Sequence, residues 1–310
     1  MSNINDTNEM NDTNKINGAD STGNSIRTGL VLEGGGMRGM YTDGILDVFM
    51  DQGLSFDGVI GVSAGAIHGS SFVSGQKGRN IRYYKKYIRD NRFISMRNLI
   101  RTGDIAEVKF CYHDLPEQLD LYDYDAFNRS KTEFYAVCSN VEMGGPEYIR
   151  ITDMKKQIDV IRASASLPYV SRLVETEGMK LLDGGCTDSI PIMKFREMGF
   201  AKNVVILTRP KGYQKEPEQL AMAKIRYRKY PAFVEALAHR HERYNETLKQ
   251  IEELEKKGEN FVMRPDKPLE IGRLERSPEK LQQVYDIGKR DALMKMRDLK
   301  HWLEKDLTKL

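Results

Sequence analysis

Residues 29–39 read Gly-Leu-Val-Leu-Glu-Gly-Gly-Gly-Met-Arg-Gly, and residues 56–65 read Phe-Asp-Gly-Val-Ile-Gly-Val-Ser-Ala-Gly. Each is a short apolar run that breaks at small residues, the pattern of a buried strand ending in a tight turn. Between them Tyr41, Ile45, Val48 and Phe49 recur at helical spacing, and Gly53 stands where a left-handed glycine ends a helix. A further helix opens after Ser63. Strand, helix, strand, helix implies an α/β fold: a mainly parallel central sheet with helices on both faces.

Beyond this pair, strands are expected at Glu133–Ser139, Glu147–Ile151, Met179–Leu182, Asn203–Thr208 and Asn260–Arg264. The Met143-Gly-Gly-Pro146 turn folds the first two into an antiparallel hairpin. Residues 217–257 and 278–308 read as charged, amphipathic helices. Residues 1–27 hold seven asparagines and few apolar groups, so they read as a disordered tail. Residues 28–215 form the α/β core, and 216–310 a helical excursion, final strand and closing helix packed on the same domain.

Composition narrows the function classes. Apolar residues make up 40% and the net charge is 48 − 45 = +3, too small to mark a nucleic-acid binder. No apolar run approaches the roughly 18 residues of a membrane span. The N-terminal MSNINDTNEM lacks the apolar stretch of a signal peptide, and Ser2 stands where N-myristoylation needs glycine. Cys111, Cys138 and Cys186 are odd in number and widely spaced, which argues against a disulfide framework or a structural metal site. The chain reads as a cytoplasmic protein.

The chemistry concentrates in three places. Gly61-Val62-Ser63-Ala64-Gly65 is a G-x-S-x-G in the strand–turn–helix setting of a nucleophile elbow, where flanking glycines let strand and helix approach. Read plainly, it is a βα turn with a capping serine. Gly34-Gly35-Gly36-Met37-Arg38-Gly39 has two readings. As an oxyanion hole, its successive N–H groups converge on one point at a helix N-terminus, with Arg38 adding charge. As G-x-G-x-x-G it is a dinucleotide fingerprint, with Asp57, 21 residues after Gly36, as ribose-binding acid. Asp57, however, precedes Gly58-Val59-Ile60 rather than ending the second strand. Asp183-Gly184-Gly185 follows an apolar run, where a carboxylate at a strand end can reach Ser63 and gain basicity by desolvation; the plain reading is an Asp-Gly turn. The five histidines, His68, His113, His239, His241 and His301, offer no base after a strand and read as solvated.

Taken in this order, GGGMRG, GVSAG and DGG resemble the motifs of the patatin-like phospholipase family, as does Arg162-Ala-Ser-Ala-Ser-Leu-Pro168 ahead of the aspartate. The resemblance covers about residues 28–210; the C-terminal stretch resembles a bacterial subgroup with a helical extension. Asp188 stands where the family usually has asparagine. The resemblance implies a three-layer fold, a Ser63–Asp183 dyad without histidine, Gly61, Gly65, Gly184 and Gly185 as supports, and no metal or cofactor. The substrate implied is a phospholipid or related acyl ester. Two alternatives stay open: a dinucleotide-dependent enzyme, and a non-catalytic lipid-binding protein of the same fold.

Residues 77–101 carry nine Lys/Arg against one Asp, with Tyr83, Tyr84, Tyr87 and Phe93 interleaved. A basic, aromatic helix suits peripheral contact with an anionic membrane. The other reading is a solvated face with its tyrosines packed on the sheet. No nucleic-acid motif accompanies it.

Overall fold

The computed structural model describes residues 26–305, so the asparagine-rich segment lies, through residue 25, outside the described residues. Eight strands form one sheet: β1 (Thr28–Leu32), β2 (Gly58–Val62), β3 (Glu133–Asn140), β4 (Gly145–Ile151), β5 (Val174–Thr176), β6 (Met179–Asp183), β7 (Lys202–Ile206) and β8 (Asn260–Met263). Strands β3, β2, β1, β7 and β8 are mutually parallel and make up its centre. The antiparallel flank is β4 and β6, both paired to β3, with β5 paired to β6.

The helices are α1 (Gly39–Asp51), α2 (Ala64–Val73), α3 (Arg79–Tyr87), α4 (Met96–Thr102), α5 (Tyr124–Arg129), α6 (Ile158–Ser164), α7 (Ile192–Glu197), α8 (Ala221–Arg226), α9 (Pro231–Ala238), α10 (Arg240–Lys256) and α11 (Pro278–Glu304), with a π-helical segment at Phe110–Leu119. The central strands are apolar on both faces because both are covered. Leu30, Leu32, Val59 and Phe134 pack toward α1, α2, α3 and α11. Val31, Ile60, Val137 and Val205 pack toward α7 and α10. This is the three-layer α/β architecture expected from the sequence.

The last helix is seated against the first by reciprocal close approach. A Cβ at Gly44 would fall 2.1 Å from the Tyr285 carbonyl oxygen, and one at Gly288 would fall 2.0 Å from that of Tyr41. Only glycine lets α1 and α11 cross this closely. Tyr41 adds a buried hydrogen bond to Asp291 at 3.0 Å.

Two expectations need correction. Strand β5, three residues long, was below the length at which alternation can be read. Residues 77–101 do not form one basic helix; they divide into α3, a turn and α4. Their rings point inward, with Tyr83, Tyr84, Tyr87 and Phe93 all 9% exposed or less. Much of their charge is spent on acids: Arg82 on Asp120, Arg89 on Glu279, Arg92 on Asp90 and Arg101 on Glu107. The rings therefore belong to the interior and do not form an exposed aromatic face. No helix among the described residues is long and apolar enough to cross a membrane.

Candidate active site

The register of β3 brings the serine and the aspartate together. Strand β4 occupies one edge of β3 along Phe134–Asn140. On the other edge β2 runs parallel until Val62 stands opposite Val137. Strand β6 arrives from the opposite direction and ends with Asp183 opposite Cys138. Two strand ends thus meet head-on at adjacent residues of β3, and Ser63 and Asp183 sit at that meeting point. The gap is bridged by Ser164, at the end of α6. Its Oγ donates to the Val137 carbonyl at 2.6 Å and accepts from the Ser63 amide at 2.9 Å. The Asp183 amide in turn donates to the Ser166 carbonyl at 2.9 Å.

Ser63 has φ 56° and ψ −121°, one of three described non-glycine residues with positive φ. Such a conformation costs about 1–3 kcal/mol and persists only where its surroundings enforce it. The enforcement is tight packing of the helix start on the sheet. A Cβ at Gly65 would fall 2.5 Å from the Leu32 carbonyl oxygen, and one at Gly61 2.6 Å from the Ala66 amide nitrogen. The serine heads α2, where the helix dipole favours negative charge.

Asp183 is buried. Its Oδ1 accepts from the Gly185 amide at 2.8 Å, while Oδ2 has no hydrogen-bond partner of ordinary geometry among the described residues. Burial pushes its carboxyl above the ordinary value, opposed by the Ser63 hydroxyl, Arg240 and the Gly185 amide. Gly184 lies against Val137, and Arg240 Nε holds the Gly185 carbonyl at 2.5 Å. Asp188 is a working member of the following loop: it accepts from Tyr148 Oη at 2.8 Å and from the Ile190 amide at 3.2 Å.

The glycine loop lies beside the serine. A Cβ at Gly34 would come 3.2 Å from that of Ser63. The amides of Gly34, Gly35 and Gly36 donate to no other described residue. Arg38 is buried, with Nε 3.4 Å from Thr208 Oγ1. Gly39 begins α1 against Ala64 and His68. Asp57 is at the far end of the strands, accepting from the Thr28 amide at 2.7 Å. The five residues of β1, at roughly 3.3 Å each, separate it from the glycine loop. The geometry of a dinucleotide fingerprint is therefore not met.

None of the histidines lines the cleft around Ser63. His68 is not solvated, contrary to the expectation from the sequence. It is fully buried, its Nδ1 3.5 Å from Asp43 Oδ1 and its ring 5.9 Å from that of Tyr84. His239 is exposed between Glu235 and Glu242, which raise its pKa.

The cleft has two arms that meet at Ser63, Gly36, Leu167 and Arg273. One encloses about 1090 Å³, open in part to solvent, and is walled by apolar groups including Met37, Ile67, Tyr84, Phe93, Leu115 and Ile161. Tyr83 and Tyr84 of α3 belong to this wall. The other arm is polar and cationic, with Arg38, Arg209, Lys215 and Arg240 around it. Sequence reading did not find Ser164, Arg209, Lys215, Arg240 or Arg273 as site residues. The Ala/Ser-rich stretch flagged the neighbourhood of Ser164, but the four cations lie in loops and a helix far from any motif.

Residues 30–196, more than half of the chain, match the patatin-like phospholipase family, and the chain belongs to it. Residues 230–304 match a domain of unknown function, DUF6363. The uncharacterized protein YjjU of Escherichia coli K12 is 29% identical over 270 residues, 85% of this chain and 75% of that protein. Lysophospholipase NTE1 of Saccharomyces cerevisiae is 30% identical over 183 residues, which is 55% of this chain and 10% of that protein. Its Eremothecium gossypii counterpart is 27% identical over 244 residues, 67% of this chain and 15% of that one. The chain thus spans a small part of the lysophospholipases it matches. The crystal structure of VipD from Legionella pneumophila is a looser likeness, with TM-score 0.47 and 14% identity over 93% of this chain and 72% of that one. At the level of family the chain is a lipid hydrolase.

Proposed function

We propose that the protein is a serine acyl hydrolase that cleaves the carboxylic ester of a phospholipid, lysophospholipids included, through a Ser63–Asp183 dyad. The observation that carries the reading is the position of Ser63 where an apolar arm meets a polar one, beside a buried carboxylate. A lipid ester has the same division: an apolar acyl chain and a polar alcohol, joined at the carbonyl to be attacked.

Ser63 Oγ attacks the ester carbonyl while Asp183 takes its proton; desolvation makes that carboxylate a better base than it is in water. The negative charge that develops on the carbonyl oxygen is stabilised by the unspent amides of Gly34, Gly35 and Gly36, with Arg38 near them. The ester C–O bond breaks, Asp183 returns the proton to the leaving alcohol, and the acyl group stays on Ser63. Water, deprotonated by Asp183, then releases the fatty acid and restores the serine.

The test is lipid-product mass spectrometry with 1-oleoyl-lysophospholipid, comparing the wild type with Ser63→Ala. Oleate released by the wild type and lost in the variant supports the reading. Tight lipid binding without release by the wild type favours a lipid-binding protein of the same fold.

A further inference from the structure

The cationic arm is built largely outside the segment that matches the patatin-like family. Arg209 and Lys215 follow β7, Arg240 opens α10 and Arg273 lies in the loop before α11; the family match ends at residue 196. Among the described residues, no carboxylate lies within ion-pair distance of Arg38, Arg209, Lys215 or Arg273. The acids beside them are committed elsewhere. Glu33 accepts from Tyr244 Oη at 2.6 Å, and from the Thr208 amide and hydroxyl at 2.5 and 3.0 Å. Arg240 alone is paired, with Glu218 at 3.2 Å. Arg209 and Lys215 are held over the rings of Tyr213 and Tyr244, each at 4.4 Å, which orders them without using their donors.

Five cations around one polar recess, four unpaired and one half-neutralised, set against an apolar arm across the serine, are complementary to an anion on the alcohol side of the ester. We propose that Arg209, Lys215 and Arg273 form a headgroup site for the phosphate of an anionic lipid, so that the protein prefers acyl esters of glycerol phosphate to neutral or ammonium-bearing lipids. This rests on the acyl-hydrolase reading above. A phosphate monoester carries close to two negative charges and three strong acceptor oxygens, enough to engage several of these donors at once. A choline or ethanolamine headgroup would bring an ammonium among like charges. The C-terminal segment thereby gains a role, as the part that selects the lipid.

The same surroundings leave a pH signature. Burial, then Arg240, Arg273 and Arg38, lower Lys215 to about 8, with Glu33 the opposing charge and the Tyr213 and Tyr244 rings beside it. Lys215 is charged below that pH and neutral above it. The phosphate stays dianionic over pH 7–9, since its second pKa is about 6. Preference for the phosphate-bearing lipid therefore falls as pH rises through this window.

The full-length Ser63→Ala protein is titrated calorimetrically with 1-oleoyl-lysophosphatidate, 1-oleoyl-lysophosphatidylcholine, monooleoylglycerol and inorganic phosphate. The wild type is assayed for oleate release from the three lipids. Lysophosphatidate should bind at least about tenfold more tightly than the other two lipids, and its kcat/KM should lead by a similar ratio. Lys215→Met and Arg209→Gln should each shrink that ratio. Should either variant fail to fold, glycerol 3-phosphate competing with lysophosphatidate in the wild type supplies the same test. Equal kcat/KM for the three lipids, with Ser63-dependent release intact, overturns the headgroup site and leaves the hydrolase reading standing. No release from any lipid overturns the hydrolase reading, while the calorimetry still decides the phosphate site. Inorganic phosphate that binds without competing with lysophosphatidate assigns the arm to a free anion and overturns the headgroup assignment.

Discussion

The two arms of the cleft are made in different ways. The apolar arm is walled mainly by residues between Gly36 and Leu167, nearly all inside the segment shared with the patatin-like family. The cationic arm borrows Arg209, Lys215, Arg240 and Arg273 from beyond it. Burial of aliphatic and aromatic groups holds the first together, so its wall is also part of the fold. The cations of the second are positioned by rings and a few hydrogen bonds and contribute little to the core. Of these, Arg209 and Arg273 can be altered in charge with small cost to stability, whereas Arg240 also holds the Gly185 carbonyl. On the proposed reading, reaction and selectivity are carried by different stretches of chain, joined at Ser63.

A change at the junction should therefore affect every substrate alike, and a change in one arm should alter the ratio between substrates. The largest effect is expected for Asp183→Asn, which keeps the shape of the side chain but cannot take the serine proton. Activity should fall by about 10²–10⁴-fold on neutral and anionic esters together, in a folded protein. Each histidine changed singly to Gln should stay within about tenfold of wild type. A histidine variant as damaged as Asp183→Asn, with its circular dichroism intact, would break the dyad.

Next in size is Ser164→Ala. It leaves the Ser63 amide and the Val137 carbonyl without their bridging hydroxyl. Leaving a buried polar group unsatisfied costs about 1–3 kcal/mol, so the melting temperature should drop. The rate of Ser63 modification should fall roughly tenfold for all substrates, because the elbow loses its anchor. A change confined to one substrate class would contradict a junction role.

Ala106→Phe acts on the apolar arm alone. Added bulk against this wall should lower the ratio of C18 to C4 ester hydrolysis by about tenfold. An unchanged ratio would mean that the acyl chain lies elsewhere. The smallest effect is the acid limb of the pH profile. As the proposed base, Asp183 would work deprotonated, and burial raises its pKa, so kcat/KM should rise with pH through a midpoint above the ordinary carboxylate value of 3.8. A midpoint at or below that value would contradict the buried base.

The sequence carries the strand–turn–helix order, the small-residue turns and the Asp-Gly-Gly after an apolar run, because each depends on neighbours within about ten residues. It does not carry the meeting of β2 and β6 on one edge of β3, which depends on the register of strands about 40–75 residues apart in the chain. Ser164 was hidden for that reason: its partners, Ser63 and Val137, become neighbours only after pairing. The charge of 77–101 misled in one respect, since periodicity could not say that Tyr83, Tyr84 and Phe93 turn inward to line a cavity. Nor could it say that His68, amid small and polar residues, is fully buried beneath Gly39. The cations of the second arm converge from two loops and the start of α10, and nothing in their local sequence marks them as neighbours.

The proposed hydrolysis turns on Ser63 being an activated nucleophile at the junction of the two arms. Treating the full-length protein with a fluorophosphonate and mapping the adduct by peptide mass spectrometry tests it directly. One rapidly modified residue is expected, Ser63, with modification lost in Ser63→Ala and slowed in Asp183→Asn. An adduct on another residue, or labelling that persists at the wild-type rate in Ser63→Ala, would contradict it.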